Sequence, residues 1–228
     1  MSDLITMDDL SNEEILEILD SAERLVPVAK GDLYAPLLQG KVLGNLFFEN
    51  STRTRMSFES AMKRLGGEVV NLSSVGSSVA KGETLYDTMQ MVDGYSDIAV
   101  IRHPRQGAAQ YSADAIGIPV LNAGDGAGNH PTQTMLDLFT IRESHGTIDG
   151  LNVVLVGDLR YGRTTHSLSH ALVRFGAKLT LVSPDSLRMP DEIVSDLKSH
   201  GSEVLETEDM AGSIAEADVI YMTRIQKE

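Results

Sequence analysis

Short apolar runs alternate with helix-length amphipathic segments along nearly the whole chain, and this alternation leaves few folds open. Strands are predicted at 41–48, 68–72, 97–101 and 119–122, with helices at 53–65, 83–95, 105–115 and 131–145 between and after them. A second series opens with LNVVLVGD at Leu151, an almost continuous apolar run. It continues with a helix at 164–175, a strand at 178–183, a helix at 190–199, a short strand near 203–206, a helix near 209–216 and a strand at 218–222. Such alternation builds parallel sheets covered by helices on both faces. The expected class is α/β, with two domains each holding a parallel sheet flanked by helices. The boundary is expected in His145-Gly146-Thr147-Ile148-Asp149-Gly150, where glycines flank a short polar link, giving domains at 1–146 and 147–228. Ahead of the first strand, Ser11 and Glu14 form a capping-box pattern. They open a helix whose apolar face carries Ile15, Leu16, Ile18, Leu19, Ala22 and Leu25.

Open parallel sheets bind ligands beyond the carboxyl ends of their strands, so the loops after the strands carry the functional reading. They read FFENSTRTR, NLSSVGSSVAKGE, IRHPRQ, NAGDGAGNHPTQ, VGDLRYGRTTHS and MTRIQKE. Nearly every one brings a cation, a histidine or a cluster of hydroxyls. Against a net charge of −14, these cations stand out as local anion sites. The same acidic balance argues against general nucleic-acid binding. No apolar run is long enough to span a membrane, and the acidic start MSDLITMDDLSNEE lacks a basic leader pattern. The chain has no cysteine, which excludes disulfides, a thiolate nucleophile and a cysteine-held zinc. The expected location is the cytoplasm.

Ser51, Thr52, Arg53, Thr54 and Arg55 feed a helix N-terminus, where unpaired N–H groups attract anions. Hydroxyls add donors, and arginine grips phosphate bidentately. The plainer alternative is an ordinary N-cap with exposed arginines, but five such residues after one buried strand favour the anion site. Arg53 and Arg55 are two apart and cannot share a helix face, so one is expected at the ligand and the other in an ion pair. Arg102 follows another strand. His130 ends a glycine-rich loop at the start of a helix, placed to stabilise charge on a carbonyl oxygen, with simple helix capping as the alternative. Gln133, one turn on, suits an amide. Lys81 lies in a Ser/Gly-rich loop and by itself reads as solvated. Arg163 suits a carboxylate through two parallel hydrogen bonds, and Arg224 is a second candidate for the same task. Gly157–Thr164 imitates a nucleotide-binding P-loop with arginine in the lysine position. A planar guanidinium does not replace a compact ammonium there, and the reading leaves the first half of the chain without a role.

Taken in order, FFENSTRTRMSFE, SSVAKGETL, RHP, NAGDGAGNHPTQTMLDL, GDLRYGRTTHSL and MTRIQKE resemble the motifs of the aspartate carbamoyltransferase family, in its catalytic chain, over essentially the whole sequence. The first half equally suits ornithine carbamoyltransferases, which share the S-T-R-T-R loop. GRTTHSL, with an arginine for a substrate carboxylate, separates the two. The resemblance implies an aspartate/ornithine carbamoyltransferase-like fold with the second domain incomplete, because relatives continue with a further aspartate-binding loop, a Pro-Leu-Pro segment and a C-terminal helix. It implies that Ser51, Thr52, Arg53 and Thr54 hold the phosphate of carbamoyl phosphate, with Arg102, and that His130 and Gln133 address the carbamoyl group. Ser77 and Lys81 match residues that enter a neighbouring subunit's site, where Lys81 meets both substrates. Arg163, Arg224 and Gln226 match the aspartate set. Arg53, Thr54, Lys81, Arg102 and His130 form the implied catalytic group.

The implied reaction moves the carbamoyl group of carbamoyl phosphate to the amine of L-aspartate, giving N-carbamoyl-L-aspartate and phosphate, an early step of de novo pyrimidine biosynthesis. No cofactor and no metal held by this chain are implied. Shared sites imply a homotrimer, and many relatives join two trimers into an allosteric assembly through separate zinc-carrying regulatory chains. Three alternatives stay open at this point: a carbamoyltransferase for another amino acid, a P-loop nucleotide module on 157–164, and an inactive family fragment serving in an assembly.

Overall fold

In the computed structural model, which describes residues 3–73, 81–126 and 128–223, the expected alternation is realised as two separate sheets. After α1 (Asn12–Lys30), the first sheet is wound from β1 (Val42–Phe47), α2 (Thr52–Arg64), β2 (Glu68–Ser73), α3 (Leu85–Tyr95), β3 (Ile98–His103), α4 (Ala108–Ala115) and β4 (Val120–Asp125). The helix α5 (Pro131–His145) follows. The second sheet comes from β5 (Asn152–Val156), α6 (Arg163–Arg174), β6 (Lys178–Val182), α7 (Asp191–Ser199), β7 (Val204–Thr207), α8 (Met210–Ala215) and β8 (Val219–Met222). By their internal contacts, Met1–Leu10 and Leu16–Thr132 make one compact unit, and Ser11–Ile15 with Gln133–Glu228 make the other. No helix among the described residues is long and apolar enough to cross a membrane.

In the first unit the four parallel strands lie in the order β2-β1-β3-β4. From β1 the chain winds outward to β2, then returns past β1 to β3 and onward. Right-handed crossovers therefore send α2 to one face and α3 and α4 to the other. The side chains, which alternate between faces, sort accordingly. Leu43, Phe47 and Val100 pack with Met62 of α2, whereas Leu46, Ala99 and Ile101 pack with Met89 and Val92 of α3 and Ala109 of α4. Within β1, the fully buried Asn45 donates to Asn71 Oδ1 at 2.8 Å on β2 and to the Arg55 carbonyl at 3.3 Å. That second bond ties the first turn of α2 to the sheet. The second sheet, also parallel, is ordered β7-β6-β5-β8, and its winding reverses between β5 and β8. Val153, Leu155, Leu179 and Leu181 are buried, as are Leu168 and Leu172 of α6.

The strands and helices fall where the apolar pattern places them, with two differences. The helix expected from residue 105 starts at Ala108. The backbone before it is held by side chains instead: Arg105 N donates to His103 Nδ1 at 3.0 Å and Gly107 N donates to Asp125 Oδ2 at 2.8 Å. The second difference is a parallel bridge from Leu4 to Leu121 of β4, which no apolar run announces. The Ser11 capping box forms as expected, with Ser11 N donating to Glu14 Oε2 at 2.8 Å and Glu14 N to Ser11 Oγ at 3.1 Å.

Leu46 is 1% exposed at the centre of the α3/α4 face. Leu46→Ala is expected to destabilise the fold by about 2–5 kcal/mol in urea unfolding. A loss below about 1 kcal/mol would show that this cluster is not a packed core.

Candidate functional site

The reversal of winding opens a crevice between β1 and β3, the point at which open α/β sheets take ligands. Phe47 and Arg102 are register partners there, and Phe48 N donates to the Arg102 carbonyl at 2.9 Å. The loop leaving β1 thus runs beside the end of β3. Ser51 has extended backbone and its hydroxyl makes no capping bond, and α2 begins at Thr52. The first turn of α2 and the Ser51, Thr52 and Thr54 hydroxyls are therefore gathered at one helix start, with the anion preference that such a start carries. Arg53 and Arg55 are both exposed. Arg55 stands one turn from Glu59, whose carboxyl is held below its usual range first by hydrogen bonds from Lys63 and Asn71 and to a smaller extent by Arg55. Arg53 has Ser57 in the corresponding place, which favours it as the ligand arginine.

Arg102 is buried. Its Nη1 donates to the Ala123 carbonyl at 3.1 Å and its Nη2 to Glu49 Oε1 at 2.5 Å. Its Nε is buried with no partner among the described residues. The guanidinium is thus pinned to β4 on one side and to a carboxylate of the loop after β1 on the other. An anion approaching Arg102 meets Glu49 already there. Sequence reasoning passed over Glu49; the signal was an acid standing directly beside a cluster of cations.

The glycine-rich loop after β4 is folded by one buried carboxylate. Asp125 Oδ1 accepts from Asn129 N at 2.8 Å, and Oδ2 accepts from Gly107 N at 2.8 Å. Gly126 has φ +55°, and a Cβ on it would stand 2.7 Å from the Pro104 carbonyl oxygen and 2.8 Å from Gln106 N. A side chain has no room there. The loop delivers the buried His130 to the start of α5, with its Nδ1 3.3 Å from Thr132 Oγ1. Asp125 was also missed, because its role depends on a loop closure that spacing does not reveal. His103, beside Phe48 at 5.3 Å between ring centres, is pushed below its usual pKa by burial and then by Arg105.

In the second unit the equivalent crevice lies between β5 and β8. Val156 pairs with Met222, and Thr223 N donates to the Val156 carbonyl at 2.8 Å. Gly157, at φ +123°, lies so close that a Cβ would be 2.6 Å from the Thr223 carbonyl oxygen. Asp158 is buried, and its Oδ1 accepts from Arg160 N at 3.2 Å and Tyr161 N at 3.0 Å. Arg163, part-exposed, is the first residue of α6. The P-loop alternative does not fit this loop: two of its N–H groups are committed to Asp158, and a buried carboxylate sits where a phosphate would rest. His166 Nε2 is 2.7 Å from the Leu159 carbonyl oxygen, so that nitrogen carries the proton. Burial lowers the His166 pKa, and the neutral ring holds the loop to the helix.

Gln133, in the first turn of α5, donates from Nε2 to Asp137 Oδ1 at 3.0 Å. Tyr221 of β8 faces the same carboxyl and also the Thr164 hydroxyl. Lys81 is exposed ahead of α3 and is not joined to these groups. Ser77, Arg224 and Gln226 lie outside the described residues.

Two family descriptions match in succession: "Aspartate/ornithine carbamoyltransferase, carbamoyl-P binding domain" over residues 2–143 and "Aspartate/ornithine carbamoyltransferase, Asp/Orn binding domain" over residues 149–228. The chain belongs to the aspartate/ornithine carbamoyltransferase family. Within that family, its relatives are aspartate carbamoyltransferase catalytic subunits. That of Methanothrix thermoacetophila is 56% identical over 227 residues, covering 99% of this chain and 74% of the relative. That of Archaeoglobus fulgidus is 52% identical over 229 residues, covering 100% and 75%. Among solved structures, the catalytic subunit of M. jannaschii aspartate transcarbamoylase superposes with a TM-score of 0.95 at 49% identity, covering all of this chain and 75% of that one. The Trypanosoma cruzi aspartate transcarbamoylase in complex with carbamoyl phosphate and aspartate gives 0.92 at 40% identity, covering 99% and 77%. The chain therefore spans about three quarters of the length of the relatives it matches.

Gly126→Ala is expected to cost about 1–3 kcal/mol, because the backbone must shift to admit the methyl group. Inorganic phosphate should also bind more weakly, because the same shift moves Asp125, Gly107 and the end of β3. An unchanged melting temperature together with unchanged phosphate affinity would show that the loop is not the rigid support described.

Proposed function

We propose that this chain transfers the carbamoyl group of carbamoyl phosphate to the amine of L-aspartate, giving N-carbamoyl-L-aspartate and phosphate in pyrimidine biosynthesis. One observation carries the reading: each sheet places a cation-bearing loop at its own reversal of winding, β1/β3 in the first and β5/β8 in the second, in a family whose near relatives bear that name. In this reading Ser51, Thr52, Arg53, Thr54 and Arg102 hold the phosphate, while His130 and Gln133 hold the carbamoyl group. Arg163, with Arg224 and Gln226, holds aspartate. Residues 1–146 are assigned to carbamoyl phosphate and 147–228 to aspartate, in line with the two family matches, although by its contacts α5 from Gln133 belongs with the second compact unit.

The chemistry follows from the charges. The deprotonated amine attacks the carbamoyl carbon, a tetrahedral oxyanion forms, the C–O bond to phosphate breaks as the electron pair leaves with phosphate, and the attacking nitrogen gives up one proton, which the departing phosphate takes. His130 donates toward the developing oxyanion, and Arg53 and Arg102 stabilise the departing phosphate. The remaining contribution is positioning of two anionic substrates that repel one another in water. The buried setting of Arg102 strengthens its field at the phosphate. We further propose that Ser77 and Lys81 serve the site of the next subunit in a cytoplasmic homotrimer. Its trimers would be joined, as in many relatives, by zinc-carrying regulatory chains into an allosteric assembly. The exposure of Lys81 on its own chain accords with a role in a neighbour.

Separate titration of the two substrates tests the assignment. Arg53→Ala should lose about 3 kcal/mol of transition-state stabilisation, roughly a hundredfold in rate. Arg163→Ala should weaken aspartate binding and leave carbamoyl phosphate affinity nearly intact; a main effect on carbamoyl phosphate would reverse the assignment of that loop. Subunit sharing is read by mixing chains. Lys81→Ala and Arg53→Ala proteins, each nearly inactive, should regain part of the activity in mixed trimers. Mixed trimers without recovered activity would place Lys81 outside its neighbour's site.

A further inference from the structure

Gln133 presents a choice that packing alone does not make. The two ends of a side-chain amide have nearly the same size but opposite hydrogen-bonding character. A carbamoyl group offers N–H donors and a carbonyl oxygen; with His130 assigned to that oxygen, Gln133 serves the N–H side only if its own carbonyl end, Oε1, faces the ligand. We propose that Asp137 is the positioning residue that fixes this orientation: its carboxylate, which only accepts, draws the Gln133 NH2 toward itself and leaves Oε1 for the substrate amide. The proposal rests on the reading of Gln133 given above.

The geometry supports it. Gln133 and Asp137 are one turn apart on α5, where i and i+4 side chains meet, and their bond is 3.0 Å. The other carboxyl oxygen, Oδ2, is buried without a well-formed hydrogen bond. Tyr221 of β8 faces this carboxyl from across the second unit and also faces Thr164, the residue after Arg163. Asp137 thus stands against Tyr221 of β8, a strand that borders the β5/β8 crevice, and Tyr221 links it to the start of α6.

Asp137 is also a poor residue for stability. Burial raises its carboxyl to about 6, against the smaller opposing effects of hydrogen bonds from Gln133 and Tyr221. The folded value lies above the ordinary one of 3.8. The stabilising contribution of this group is therefore complete below that ordinary value and lost as pH rises through about 6. At neutral pH the ionised group weakens the fold. Asparagine would fill the same space without that cost, but it offers both a donor and an acceptor and would let Gln133 settle either way. A carboxylate with a raised pKa beside a candidate ligand group is the kind of setting in which functional groups cluster.

The experiment compares Asp137→Asn, Gln133→Ala and the double variant, with carbamoyl phosphate and inorganic phosphate as separate probes at pH 8. Asp137→Asn should weaken carbamoyl phosphate roughly tenfold, the scale of one misdirected hydrogen bond, and leave inorganic phosphate, which has no N–H, unchanged. Its melting temperature should equal or exceed that of the parent. Gln133→Ala should weaken carbamoyl phosphate to a similar extent, and adding Asp137→Asn should weaken it no further. Equal losses for both probes, a lowered melting temperature or additive losses in the double variant would make Asp137 merely structural and overturn the inference. Gln133→Ala binding carbamoyl phosphate normally would instead overturn the role of Gln133 itself, and the inference with it.

Discussion

The rest of the structure depends on a constraint of handedness. A parallel strand can be followed by its helix and the next strand in only one sense, so a chain that first winds to one side of a strand and then to the other must send its helices to opposite faces. Between the two strands where this happens, no helix covers the sheet's end. In the first unit that place is β1/β3, with Phe47 beside Arg102; in the second it is β5/β8, with Val156 beside Met222. The loops that carry the candidate residues are where they are because the sheet order leaves these two openings. Buried Asn45, which ties α2 back to β1 and β2, keeps the first opening in shape.

Electrostatics then decides what enters. The chain is strongly acidic, and its cations at the first opening sit close to carboxylates that restrain them. Arg102 is the clearest case, pinned between the Ala123 carbonyl and Glu49. A lone buried guanidinium would be expensive to hold, whereas one shared with a carboxylate is held in readiness. In the proposed reading a dianion arriving at Arg102 competes with a single negative charge, so the site would discriminate by charge and geometry together. In the second unit Asp158 plays an architectural part, closing its own loop through backbone N–H groups and setting the start of α6 beneath Arg163.

Much of this was legible in the sequence. The alternation of apolar runs gave the strand and helix positions, since burial on both faces of a parallel sheet demands such runs. The cluster Ser51-Thr52-Arg53-Thr54-Arg55 named its own helix start, and the two-residue spacing separated Arg53 from Arg55. Roles that depend on closure through space were less visible. Glu49, Asp125 and Asp137 are single acids in an acidic chain, and nothing in their spacing says that one meets Arg102, one folds a loop and one holds Gln133. The late start of α4 escaped for the same reason, because the competing hydrogen bonds come from His103 and from Asp125, the latter 18 residues away from Gly107. For Ser77, Arg224 and Gln226 only the resemblance speaks.

The short bridge at Leu4 has a consequence beyond its size. Leu4 N donates to the Val120 carbonyl at 2.9 Å, Asn122 N returns a bond to the Leu4 carbonyl at 2.9 Å, and Asp3 Oδ1 accepts from Val120 N at 2.8 Å. These residues cover the outer backbone of β4, the last strand of its sheet. An uncovered edge of that kind is a template on which strands of other molecules can add. The opening residues thus shield this edge against self-association, and displacing them would uncover a backbone on which another molecule could add.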